Sequence, residues 1–275
     1  MENFLRHCYL EEMETPLEIL DIGLLEGYCE QVTEHSLNRY NQLEDSELSV
    51  DAFSFYTSVA AVFSSKIEGE NIELDSYVKH KKFGIKFLPD YTQKTDDLYN
   101  AYQFAKANLC TKTNIQEAHK MISKHILPVN KQGKERMDNM YVTTDDGRIE
   151  YVAALPDSVR GEMNKFYADL NLLVASELKL QEVFYYASLL HLIFVKIHPF
   201  DDGNGRTARL IEKWFLAEKL GPKAWLIQSE KNYYRGHQAY YKNIRVLGLE
   251  YQELDYTKAL PFLVMLPESL IIDKE

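Results

Sequence analysis

The stretch that most constrains this chain is "VFYYASLLHLIFVKI", residues 183–197. On a helix it is apolar nearly all round, and such a helix reads as a buried central element. The run ends within about 15 residues, short of the ~20 needed to span a bilayer, and it contains His191 and Lys196. The remaining sequence must therefore wrap it. With 275 residues the chain can bury a large core in one extended domain, or in one domain with an appended helical unit.

Most of that remainder also has helical spacing. Leu17, Leu20, Leu24, Leu25 and Tyr28 predict helix over 16–40. "SVDAFSFYTSVAAVFSSKIEG" predicts a helix opened by Ser49 or Asp51 as N-cap and closed at Gly69. Further helices are expected around 91–109, 114–126, 157–178, 181–197 and 256–265. One segment departs from the pattern. "NMYVTTDDGRIEYVAA" holds two short runs rich in Val, Ile, Tyr and Thr around Asp146-Gly147, a pair suited to a type I′ turn, and predicts a β-hairpin. The fold class is mainly α with one small hairpin. The expected division is an N-terminal helical region over 1–90, a core over 91–250 and a helical tail over 251–275.

The formal net charge of −11 argues against a broad nucleic-acid surface, which needs clustered Lys and Arg. It leaves room for one small basic pocket. Cys8, Cys29 and Cys110 are odd in number and widely spaced, without zinc-ligand spacing, and read as reduced thiols. "MENFLRHCYLEEMETP" has no apolar signal-peptide core. A cytoplasmic protein without nucleic-acid or membrane partners is expected.

The chemistry concentrates in "KIHPFDDGNGRTARLIEKWF", residues 196–215. Pro199 should end the central helix near Ile197 or His198. Gly203 and Gly205 let the backbone turn tightly and approach a ligand, and a second helix starts near Asn204 and runs to Gly221-Pro222. A glycine turn into a helix N-terminus is an anion cradle. Arg206 and Arg209, three apart, share a face of that helix and suit a polyphosphate. Asp202 at the turn is placed as Mg²⁺-holding carboxylates usually are, and His198 could take a proton from an attacking hydroxyl. Neither G-x-x-x-x-G-K-[ST] nor G-x-G-x-x-G occurs, so this is nucleotide phosphoryl-group chemistry without a P-loop. Taken singly, each residue has a plainer role: Asp202 as a helix cap, Arg209 paired with Glu212, the glycines serving only the turn. Their joint presence within twelve residues favours the chemical reading.

"HPFDDGNGRTAR" resembles the Fic signature H-x-F-x-[D/E]-G-N-G-R-x-x-R at every fixed position. The likeness extends over roughly 50–250. It implies a helical core with a β-hairpin flap, and transfer of AMP from ATP to a Ser, Thr or Tyr hydroxyl of a target protein. It implies His198 as general base and Asp202 as holder of Mg²⁺ or Mn²⁺. Gly203, Asn204 and Gly205 would bind the transferred phosphate, Arg206 the β and γ phosphates and Arg209 the γ phosphate. Phe200 would face the core. Tyr151 and Val152 of the flap and Tyr240, from the Tyr240-Tyr241 pair, would complete the nucleotide site. Where the family's flap commonly ends in two prolines, this chain has Ala153-Ala154.

Upstream, "SSKIEGE" matches the S-x-x-x-E-G pattern of the Fic inhibitory helix through Ser64, Glu68 and Gly69. Ser64 and Glu68, four apart, share one helical face. The resemblance implies the subclass with an N-terminal inhibitory helix, in which Glu68 takes Arg209 from the γ phosphate and misaligns the α phosphate. Other readings stay open. Glu68 could orient a water that removes AMP, the donor could deliver UMP, phosphate or phosphocholine, or the protein could sense nucleotide without turnover. A homodimer is a further expectation from the family. No winged-helix module is expected after residue 265.

Overall fold

The computed structural model describes residues 16–43, 52–143 and 149–270. Ser49, Asp51, Cys8 and the Asp146-Gly147 turn lie outside the described residues. The central helix is Leu180–Ile197 (α8), and every residue from Gln181 to Ile197 is buried. It has the length and composition of a membrane span, yet 94% of that window is buried inside the protein. Glu182 accepts the Lys179 backbone N–H at 2.6 Å and so closes its first turn. The partner helix is Asn204–Leu220 (α9), joined to α8 by the short signature loop and packed along it.

Around this pair lie Leu25–Gln31 (α1), Glu34–Asn41 (α2), Ala52–Ile67 (α3), Leu74–Phe83 (α4), Pro89–Ala107 (α5), Lys112–Ile122 (α6) and Pro156–Ala175 (α7). After α9 come Ser229–Arg235 (α10), His237–Arg245 (α11), Leu260–Leu263 (α12) and Met265–Glu268 (α13). One hydrophobic cluster runs from Leu20 to Leu270 through all of them. Proline opens α5 and α7 at a position whose N–H would be unsatisfied in any case. Lys219 on α9 donates to the carbonyls of Leu173 and Val174 in the last turn of α7 and of its C-cap Ser176, where a cation also complements the helix dipole.

The hairpin forms where expected. Tyr141–Thr143 (β1) pairs antiparallel with Ile149–Val152 (β2), with Val142 opposite Tyr151. Val152 N–H donates to Leu249 O at 2.7 Å, so the outer side of β2 is taken by the 249–250 segment.

Two helical expectations need correction. Residues 16–40 hold two short helices, because Thr33 adopts an extended backbone and its Oγ1 caps α2 by accepting Ser36 N–H. The 256–265 stretch is broken into a 3-10 turn and short helical pieces, with Pro261 denying a backbone donor.

The segment before α1 is tied to α7 through one carboxylate. The buried Asp169 carboxylate on α7 accepts the backbone N–H groups of Glu18, Ile19 and Leu20 at 2.7–2.8 Å. Three charge-assisted bonds converge there, each of a kind worth about 1.5–3 kcal/mol. Asp169→Ala should therefore lower unfolding stability by at least about 2 kcal/mol. Hydrogen exchange should show the amides of Glu18–Leu20 losing protection in the variant. Unchanged protection would show that the anchor is elsewhere.

Candidate active site

His198 closes α8. It is the one non-glycine residue with positive φ among the described residues, at +53°. An L side chain rarely adopts this conformation, so neighbours must hold it. Arg136, 2% exposed, does so: its Nε donates to His198 O at 2.7 Å and its Nη2 to Ile197 O at 3.3 Å. Its backbone N–H donates to Pro199 O at 2.8 Å. The same guanidinium bonds to Asp138 O and Ala154 O, at the two feet of the hairpin. One arginine thus ties the flap to the histidine turn.

The imidazole has a defined tautomer. Nδ1 lies 3.2 Å from Val195 O, which can only accept, and 3.0 Å from Tyr151 Oη. Tyr151 Oη spends its own hydrogen on Val195 O at 2.8 Å. Nδ1 therefore carries the proton and Nε2 keeps a lone pair, the arrangement a general base needs. Burial, more than any charge, lowers the His198 pKa to about 4, with the Arg136 cation acting in the same direction.

The loop that follows is braced from within and below. Asn204 Oδ1 accepts Phe200 N–H at 2.9 Å while its Nδ2 donates to Phe200 O at 2.8 Å. The Asn204 side chain is thereby committed to the loop, leaving its backbone N–H for a ligand. Phe200 is fully buried and stacks on His119 at 3.6 Å between centroids. His119 Nδ1 accepts Gly133 N–H at 2.9 Å, so its Nε2–H donates to Asp202 O at 2.8 Å. Burial lowers its pKa to about 4 as well. Gly203 sits at φ +80° and a Cβ there would come within 3.4 Å of His119. The first N–H groups of α9 thus face the turn without intrahelical acceptors.

Charges flank this cradle. Arg206 is 5% exposed, and its Nη2 reaches Asp202 Oδ1 at 3.4 Å. Its Nε and Nη1 are buried with no hydrogen-bond partner among the described residues. Donors left so are costly unless an acceptor arrives. The Asp202 carboxylate is about half exposed.

Arg209 is fully buried and already engaged. Its Nη2 lies 2.6 Å from Glu68 Oε1 and 3.2 Å from Ser64 O, and its Nε donates to Ser64 Oγ at 2.8 Å. Glu68 lies one residue past the end of α3, and Gly69 follows at φ +85°. Burial opposes ionisation of Glu68, but Arg209, Arg206 and His198 outweigh it and hold its pKa below the usual carboxylate range. The approach is close enough that a Cβ on Gly205 would sit 2.6 Å from Glu68 Oε1. Glu212 does not pair with Arg209. It accepts from Tyr233 Oη and faces His191.

Beside Glu68 opens a cleft of about 630 Å³, lined by Gly69, Val142, Thr143, His237, Gln238 and Tyr241 among others. Three expected nucleotide residues fall elsewhere. Tyr240 is 1% exposed beneath Arg209 and cannot present its ring to a base; Tyr241, on the next position of α11, reaches the cleft. Tyr151 is 6% exposed, under the Nδ1 edge of His198, with the Lys196 ammonium 4.3 Å from its ring centroid. Val152 contributes its N–H to the 249–250 segment. Arg136 and His119 went unnoticed in the sequence, since both act on the loop from more than sixty residues away.

A model of the Fic/DOC family matches residues 109–216. A "Protein adenylyltransferase Fic" of Nematostella vectensis is 29% identical over 148 residues, 53% of this chain and 32% of that protein. The chain spans about a third or less of the length of the curated relatives it matches. In fold it is similar to a Fic family protein from Desulfovibrio desulfuricans G20, with a TM-score of 0.72 and 18% identity over 93% of this chain and 74% of that one. A Fic domain containing signaling protein from Bacteroides thetaiotaomicron gives 0.66 and 20% over 90% and 91%.

His198 should stay neutral with its proton on Nδ1 from pH 7 down to about 4. Nitrogen-detected NMR of the imidazole reads both tautomer and titration. A folded pKa below the unfolded ~6.5 means the unfolded chain binds the extra proton first. The contribution of His198 to stability is therefore full above ~6.5 and is lost as pH falls towards about 4. Titration near 6.5 in the folded protein would contradict the burial and hydrogen bonding described.

Proposed function

We propose that the chain, whose residues 109–216 match the Fic/DOC family model, is a protein adenylyltransferase held off by its own Glu68. The observation that carries the transfer reading is Arg206. Its Nε and Nη1 are buried without a hydrogen-bond partner among the described residues, beside the glycine turn and helix N-terminus, while its Nη2 lies 3.4 Å from the half-exposed Asp202 carboxylate. That combination suits a polyphosphate and its counter-cation.

The proposed step is in-line. The hydroxyl oxygen of a target Ser, Thr or Tyr attacks the α phosphorus of ATP, and its proton passes to His198 Nε2. The bond from the α phosphorus to the bridging oxygen breaks and pyrophosphate leaves. The α9 N-terminus receives the transferred phosphate, Arg206 the β and γ phosphates, and Arg209 the γ phosphate. Asp202 is the residue that would hold Mg²⁺ or Mn²⁺. No group of three or more potential ligand side chains occurs among the described residues. One carboxylate fits an ion whose other ligands are phosphate and water. Such an ion supplies charge neutralisation on the phosphates. A target segment pairs with the flap from the β1 side, since β2 is already paired with Leu249.

The Glu68–Arg209 pair at 2.6 Å supports the inhibitory part of the reading. An arginine engaged by Glu68 is not offered to a γ phosphate, and a misplaced triphosphate forgoes positioning that supplies about 7–11 kcal/mol of a barrier.

With labelled ATP and Mg²⁺, Glu68→Gly should label itself more strongly than the parent, and Glu68→Gly with Arg209→Ala should lose that gain. Adding His198→Ala to Glu68→Gly should cut labelling by about 10²–10⁴. Equal labelling of parent and Glu68→Gly, both shown to be folded, would refute inhibition. Release of label from a premodified target would instead assign Glu68 to AMP removal, and saturable binding without label would assign the chain to nucleotide sensing.

A further inference from the structure

Next to Arg209 lies a run of buried polar groups that the transfer step does not use. Tyr240, His191, Glu212 and Tyr233 are each at most 1% exposed. Arg209 Nη1 lies 3.3 Å from Tyr240 Oη, and Tyr240 Oη lies 2.9 Å from His191 Nε2. His191 Nδ1 lies 2.7 Å from Glu212 Oε2, which also accepts Tyr233 Oη at 2.7 Å.

The chemistry of the groups gives this chain a direction. A guanidinium only donates, so the Tyr240 oxygen accepts from Arg209. Its own hydrogen then goes to His191 Nε2. That requires the Nδ1–H tautomer of His191, whose proton goes to the Glu212 carboxylate. The negative end of the chain is Glu212 and the positive end is Arg209, with Tyr240 and His191 polarised between them.

The origin of the partners matters more than their number. Among the described residues, Arg209 has hydrogen bonds to Ser64, Glu68 and Tyr240. Ser64 and Glu68 both belong to the segment that ends α3. Tyr240, on α11, is the partner that does not. When the α3 end gives up the arginine, Tyr240 is what remains to orient it.

We propose that Tyr240, itself oriented by His191 and Glu212, is the positioning residue that keeps Arg209 aimed at the terminal phosphate once Glu68 has withdrawn. This rests on the assignment of Arg209 to the γ phosphate made above. It replaces direct contact of Tyr240 with the nucleotide by a buried hydroxyl that sets an arginine.

The test compares ATP with ADP, which lacks the γ phosphate, by calorimetric titration of the full chain carrying Glu68→Gly, with Mg²⁺ present. Adding Tyr240→Phe removes one oxygen and should weaken ATP about tenfold, as loss of a hydrogen bond to a charged group does, while ADP affinity stays unchanged. Glu212→Gln, which keeps the volume but removes the charge, should give a smaller loss of the same sign. Arg209→Ala is the reference. If it abolishes the preference for ATP while Tyr240→Phe retains it, the positioning role is overturned and the Arg209 assignment stands. If Arg209→Ala itself keeps the preference, the Arg209 assignment fails and the proposal with it. Equal weakening of ATP and ADP by Tyr240→Phe would mark a structural role only and overturn the proposal. Should thermal melting show Tyr240→Phe unfolded, Glu212→Gln decides: unchanged ATP affinity overturns the proposal, and ATP-selective weakening supports it.

Discussion

A fully buried guanidinium cannot shed its charge, so the protein around Arg209 has to supply it with acceptors. Much of the site follows from that requirement. The α3 helix must stop at Ile67 so that Glu68 can turn inward, and Gly69 takes the positive φ that lets the chain leave. Position 205 must lack a Cβ, because Glu68 passes where that atom would be. Tyr240 must be inside, with its hydroxyl rather than its ring doing the contacting. Residues from α3, α9 and α11, scattered over more than 170 positions, are fixed in type by one cation.

The same requirement makes the Glu68 pair exchangeable. Removing one partner of a buried pair ordinarily costs about 3–5 kcal/mol, because the other charge is left uncompensated. If another anion takes the place of Glu68, that cost does not arise. On the proposed reading, the γ phosphate is that anion. Glu68 nevertheless has the advantage of being tethered, since a group on the same chain competes at an effective concentration of about mM or more. Inhibition of this kind needs no closed lid. It needs a carboxylate of depressed pKa just past the end of a helix, which is what Arg209, Arg206 and His198 produce against the opposing effect of burial.

How much of this could be read in the sequence depended on how far apart the partners lie. The turn from His198 to Arg209 was legible because twelve contiguous residues carry the whole pattern, and α8 and α9 because apolar periodicity and Pro199 mark their ends. Glu68 was legible through a short motif with Ser64 and Gly69. Arg136 and His119 were not, because nothing in their own neighbourhoods distinguishes them and their work is done on carbonyls of residues 197–202. The break between α1 and α2 did have a signal in Thr33, an N-cap type inside an otherwise helical pattern. Tyr240 and Tyr241 could not be separated by residue type. Helical phase alone turns one to Arg209 and the other to the cleft.

Arg136 also bears on how the hairpin and the His198 turn are held relative to each other. A strained His198 keeps its place because Arg136 holds the carbonyls around it, those of Ile197 and His198 through its side chain and that of Pro199 through its backbone N–H. That side chain holds the feet of the hairpin with its remaining donors. A guanidinium is planar and its donors are fixed relative to one another, so moving the feet of the flap moves the frame in which Nε2 is aimed. Pairing with the β1 side of the hairpin would stiffen that frame, because the other side of β2 is already bonded to Leu249. On the proposed reading, docking of a target strand and alignment of His198 would be one mechanical event, shared through Arg136, rather than two conditions met separately.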